Sequence, residues 1–135
     1  MQIYFHERGL RSSIPATRLS DGTLRYLCLL AILCNPNLPP LVCIEEPELG
    51  LHPDIFPSLV KLLREVSERC QLIITTHSEA FIDLFTDDPE AILVAEKGEN
   101  GTQLSRLSKE QLKPWLATYR LGSLRTRGDI GGTRW

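Results

Sequence analysis

Two adjacent carboxylates, Glu45 and Glu46, end the apolar run Leu41-Val42-Cys43-Ile44 and precede Pro47-Glu48. Four apolar residues in succession read as a strand covered on both faces, so its last residues emerge at the carboxyl edge of a sheet, where open α/β folds bind ligands. Paired carboxylates at such an edge can hold a magnesium ion and polarise a water. For an arbitrary glutamate pair the plainer reading is that it solvates a strand end. Two further segments argue for chemistry instead. Leu19-Ser20-Asp21-Gly22-Thr23 stands at the head of an apolar helical run, and Leu72-Ile73-Ile74-Thr75-Thr76-His77-Ser78 is a second buried-type strand ending in a histidine.

These residues need elements to position them. Ser20 is placed to cap a helix over about Asp21 to Cys34, and the turn-rich Asn35-Pro36-Asn37-Leu38-Pro39-Pro40 then leads into the glutamate-bearing strand. After Leu51-His52-Pro53, the residues Phe56, Leu59, Val60, Leu63 and Val66 recur at helical spacing, with Lys61, Arg64, Glu65 and Glu68 on the other face. This predicts an amphipathic crossover helix leading to a strand over Gln71 to Thr75, together one parallel βαβ unit.

Flanking elements are shorter. Gln2 to His6 alternates like a strand, and Gly9 to Pro15 reads as the loop after it. A short helix is expected near Ser78, then a turn at Asp87-Asp88-Pro89, a third buried strand over Ala91 to Ala95, and a hairpin turn at Lys97 to Gly101 into Gln103 to Leu107. Ser108 and Gln111 have the form of a capping box opening a helix through Leu112, Trp115 and Leu116. From Gly122 onward no period survives, and Arg120, Arg125, Arg127 and Arg134 give a locally basic tail over about 120–135, read as solvated and flexible.

The chain has 135 residues, 42% of them hydrophobic, and a net charge of −2, values of a single soluble domain with a real core and no global electrostatic bias toward nucleic acid. The longest apolar run, Tyr26 to Cys34, is too short to span a bilayer, and the N-terminus lacks a signal-peptide core, so a cytoplasmic protein is expected. Cys28, Cys34, Cys43 and Cys70 form no C-x-x-C pair and read as small core residues.

The wording LSDGTLR…IEEPELGLHP…TTHS, with the ending GDIGGTRW, resembles the AAA-type ATPases of the RecF, SMC and OLD branch over nearly the whole chain. In order, the three segments are similar to the signature motif, the Walker B motif and the switch histidine of an ABC-type ATPase head. The resemblance implies an α/β fold, a mostly parallel sheet with helices on both faces, forming the C-terminal half of a P-loop NTPase. It implies ATP and Mg²⁺ as ligands, Glu45 as the residue holding the metal through water, and Glu46 as the base that orients and deprotonates the attacking water. It further implies that His77 contacts the γ-phosphate, and that Ser20 and Gly22 bind the γ-phosphate held by the opposite protomer, where a helix N-terminus favours an anion. His52 falls where a D-loop aspartate crosses the dimer interface. Asp21 and Thr23 stand where the family signature has glycine and glutamine, and Glu45 where most relatives have aspartate.

The phosphate-cradling pattern G-x-x-x-x-G-K-[ST] is not found in these residues. The sequence therefore reads as one ATPase lobe, residues 1–135, that needs a P-loop-bearing lobe or subunit. In the resembled fold the P-loop strand lies between the strand ending at His77 and that at Ala91 to Ala95, so its absence predicts a gap, filled by a homodimer or oligomer or by the Gln2 to His6 strand. DNA is a further expected partner, a membrane is not. The alternative is a non-catalytic interaction module pairing with another subunit. Reading Glu45, Glu46, Glu48, His52 and His77 as a metal cluster fits no ligand template, and Glu96 and Gly98 lack the spacing of a Toprim nuclease.

Overall fold

The computed structural model describes residues 3–6, 8–9, 11–99 and 101–132. The expectations at Gln2, Leu10, Asn100 and Arg134 lie outside them. The chain packs as two compact units, residues 1–75 and 76–135.

The first unit is built on the expected βαβ element. β3 (Leu41–Glu45) and β4 (Gln71–Thr75) pair in parallel, in register from Leu41 opposite Gln71 to Glu45 opposite Thr75. They are joined through α2 (Phe56–Ser67), preceded by a 3-10 turn at Pro53–Ile55. Prolines at the start of both helical pieces fit because first-turn amides have no intrahelical partner. Helix α2 buries Phe56, Leu59, Val60, Leu63 and Val66, the five residues whose spacing marked it, and packs against β4 and α1 (Asp21–Leu33). The α/β class read from the sequence holds.

This unit departs from the sequence expectation in four respects. β3 and β4 are covered on one face only: Val42, Ile44, Leu72 and Ile74 are half-buried, while Leu41, Cys43 and Ile73 on the opposite face are exposed. An apolar run cannot by itself distinguish a strand buried on both faces from one whose second face is open. Cys28, Cys34 and Cys43 are exposed and only Cys70 is buried. The first strand is also shorter than expected. β1 (Tyr4–Phe5) pairs antiparallel with β2 (Ile14–Pro15), so it does not serve as a substitute neighbour for β4, which among the described residues pairs with β3 alone.

The second unit opens with α3 (Glu79–Ile82), capped by the Ser78 hydroxyl, which accepts from the Phe81 N–H at 3.2 Å. β5 (Leu93–Gly98) and β6 (Gly101–Arg106) form the expected hairpin, closed where Gly98 opposes Gly101. The strand starts later than Ala91, which sits in a 3-10 turn at Pro89–Ala91, and only Val94 in it is buried. α4 (Lys109–Leu116) begins at Ser108 without a side-chain cap, so no capping box forms there. The stretch expected to be a tail from about residue 120 holds a further helix, α5 (Leu121–Thr126), with Leu121 and Leu124 fully buried. It docks on α3 and on Asp83, whose carboxylate accepts the Gly122 N–H at 2.8 Å.

Candidate functional site

Glu45 is the last residue of β3 and is exposed at its carboxyl end. The next residue, Glu46, has φ 42°, the one left-handed backbone among the described non-glycine residues. Such a conformation costs a side chain with a Cβ about 1–3 kcal/mol, and a residue before proline is normally extended. Backbone and side-chain bonds hold it. Its N–H donates to the carbonyl of Thr75, the last residue of β4, at 2.9 Å, and its own carbonyl accepts from the Leu49 N–H at 3.0 Å. That same carbonyl accepts from Arg25 Nη2 at 2.8 Å, and the Glu45 carbonyl lies 3.4 Å from the same nitrogen. Past the turn, Pro47 is fully buried and Glu48 is 7% exposed.

Arg25 is not among the site residues expected from the sequence. It is the one charge among residues 22–34, and a lone charge on an otherwise apolar helix is the signal that could have found it, because a guanidinium needs acceptors.

The start of α1 faces the loop after the glutamates. Ser20 is its cap, with Oγ accepting from the Thr23 N–H at 3.2 Å and lying 2.8 Å from Thr23 Oγ1. Gly22 touches the loop so closely that a Cβ there would stand 2.4 Å from the Gly50 carbonyl oxygen. A shallow groove between them is lined by Ser20, Gly22, Tyr26, Gly50, His52 and Pro53. The structure thus brings Ser20, Gly22 and His52 to one groove. His52 is largely exposed and caps the following 3-10 turn, its Nδ1 accepting from the Asp54 N–H at 3.4 Å.

His77 lies near the start of the second unit, two residues after β4. The Arg125 guanidinium, from α5, donates to its carbonyl at 3.1 Å and lies 3.5 Å from its Nδ1. Arg125 also donates to the Gly132 carbonyl at 3.4 Å, while the Gly132 N–H reaches Glu96 Oε1 at 3.1 Å. Arg125 is the second residue missed. Its counting as part of a solvated tail hid a contact made across 48 positions.

No group of three or more His, Cys, Asp or Glu able to hold a metal occurs among the described residues. That argues against a carboxylate and histidine cluster. A single exposed carboxylate still suits magnesium, which is commonly held by one or two carboxylates plus waters and phosphate oxygens.

Residues 2–83 match the family described as "AAA domain, putative AbiEii toxin, Type IV TA system". The chain belongs to this AAA-domain family. The matched stretch contains Ser20, Gly22, Glu45, Glu46, His52 and His77. Relatives of this AAA domain include the energy-coupling factor transporter ATP-binding protein EcfA of Methanosphaera stadtmanae, 30% identical over 65% of this chain and 31% of that protein. The phosphate import ATP-binding protein PstB of Malacoplasma penetrans is 32% identical over 64% of this chain and 29% of its own. The OLD nuclease of Thermus scotoductus is 32% identical over 67% of this chain and 16% of its own. The AAA chain therefore spans less than a third of each of these relatives. A solved SMC ATPase structure, reported under "Structural biochemistry of ATP-driven dimerization and DNA stimulated activation of SMC ATPases", superposes with a TM-score of 0.62 at 18% identity, covering 86% of this chain and 70% of the other. The fold is that of the P-loop NTPases. No described helix is long and apolar enough to cross a membrane.

Proposed function

We propose that this chain is the signature and Walker B half of an ABC/AAA-type ATPase head, which binds and hydrolyses ATP together with a P-loop-bearing lobe as two heads close. The observation that carries this reading is Glu46. A glutamate held in a left-handed turn before proline, at the carboxyl end of a parallel strand, is a strained arrangement of the kind that persists where a side chain must be aimed.

In this reading the Glu46 carboxylate accepts a hydrogen bond from the attacking water and takes its proton. Glu45 would hold magnesium, and the ion would offset charge on the phosphates. His77 donates toward the terminal phosphate, with its backbone carbonyl held by Arg125. Ser20 and Gly22 present the first turn of α1, with its helix dipole, to the phosphate held by the opposite protomer. His52 lies in the same groove and contributes to that interface. Pairing of heads and association with DNA are part of the proposal, in keeping with what is described for the SMC ATPase.

The test supplies a P-loop-bearing lobe and compares Glu46→Gln with the native chain. Binding of ATP should persist while turnover falls about 10²–10⁴-fold, the usual cost of losing a positioned base. Near-normal steady-state hydrolysis by that variant overturns the assignment. Glu45→Gln should instead weaken Mg²⁺-dependent binding.

A second reading, a non-catalytic interaction module, is favoured by the open sheet face carrying Leu41, Cys43 and Ile73. It predicts that the native chain pairs with the supplied lobe and yet shows no turnover.

A further inference from the structure

We infer that Arg25 is a positioning residue for Glu46, tying the first two turns of α1 to the Glu45–Glu46 turn so that the two respond together. The inference rests on the proposed role of Glu46 and extends it to a residue outside the three motifs. Beside the main-chain bonds to Thr75 and Leu49, the Glu46 backbone takes a bond from a side chain, that of Arg25. Its Nη2 sits 2.8 Å from the Glu46 carbonyl oxygen and 3.4 Å from that of Glu45, so one nitrogen spans both residues of the acidic pair at their backbone. A cation bonded to two backbone carbonyls fixes the turn itself.

The link is not the sole one between these elements. Gly22, one turn before Arg25, approaches the Gly50 carbonyl too closely for any Cβ. With the loop seated at Gly50 and the turn held at Glu46, the segment of residues 45–50 is attached at both ends to the helix that Ser20 caps. A change at the helix start, where a phosphate from the opposite head would sit, therefore moves the support of Glu46. Lysine, whose single ammonium sits on a more flexible stem, reproduces this one-nitrogen contact only in part.

The experiment uses the full chain with a P-loop-bearing lobe and sets Arg25→Ala and Arg25→Lys beside Glu46→Gln. Arg25→Ala is expected to lower kcat roughly 10- to 100-fold, the scale of a misplaced catalytic group, while KM for ATP stays within about threefold, as befits a loss confined to the transition state. Arg25→Lys should recover part of kcat. In the chain without nucleotide, the amides of Glu46 and Leu49 should exchange faster in Arg25→Ala, with Val42 and Ile44 still protected. If Arg25→Ala turns over normally while Glu46→Gln is dead, the positioning role is wrong and the base assignment stands. If Arg25→Ala loses protection throughout β3 and β4, or raises KM in step with the fall in kcat, Arg25 is merely structural and the inference fails. Turnover by Glu46→Gln overturns the underlying reading, whatever Arg25→Ala does.

Discussion

At Glu46 stability and function pull in opposite directions. Its φ of 42° is one that glycine adopts without penalty and glutamate does not. Glu46→Gly should therefore keep or raise stability, by up to about 1 kcal/mol after the greater chain entropy of glycine is offset, while removing the proposed base and its turnover. Denaturant unfolding of the variant checks the first half, and a stability loss of more than about 1 kcal/mol would mean that the carboxylate itself holds the turn. The glutamate pair was legible in the sequence because an apolar run followed by two acids is a local pattern. Its backbone strain was not, since the bonds that impose it come from Thr75 and from Arg25, the latter 21 positions away. Arg125 was hidden for the same reason. A side chain counted as part of a basic tail reveals its partner only once α5 is folded onto the residues around His77.

Elements differ in how plainly their sequences announce them. Helix α2 was legible throughout because its five buried residues hold one face over three turns. Helix α5 was not: six residues give too few repeats for a period, and it is held by the burial of Leu121 and Leu124 and by Asp83 accepting the Gly122 N–H. The expected capping box at Ser108 failed in a similar way, because a cap needs the right approach angle as well as the right residue. At the start of α1 the cap and the close contact coincide, so two substitutions separate them. Gly22→Ala would place a Cβ 2.4 Å from the Gly50 carbonyl oxygen, and the helix or the loop must shift. The expected cost is about 1–3 kcal/mol, as for other overpacked contacts, read from the unfolding midpoint. An unchanged midpoint would show that the loop yields freely. Ser20→Arg acts differently. Bulk and charge at the cap should block ATP-driven head pairing while leaving nucleotide binding to a single head intact, and normal ATP-dependent dimers in sedimentation would count against a role in trans.

For the chain taken whole, the decisive feature is what β3 and β4 leave open. Family membership was legible because three short segments resemble the family's motifs in order, whereas the open face was not, because which apolar residues of a strand stay uncovered depends on what packs against it and not on its own sequence. Leu41 and Ile73 are 45% and 48% exposed on that face, with Cys43 between them, and among the described residues β4 pairs on one edge only. An apolar face beside a free strand edge favours association, since both the surface and the unpaired amides gain by being covered. We therefore expect the 135-residue chain alone to self-associate and to bind Mg-ATP weakly at best, because these residues lack the glycine-rich loop that supplies most of the phosphate-binding amides. Sedimentation velocity and calorimetric titration with Mg-ATP measure the two halves separately. Ile73→Lys places a charge on the open face without entering the covered one, so it should shift the chain toward monomer while its unfolding free energy stays within about 0.5 kcal/mol of the native value, as for other surface substitutions. A native chain that sediments as a monomer at high concentration would show that this face does not drive association. A single micromolar ATP site, abolished by Glu45→Gln, would show that the P-loop is dispensable for binding.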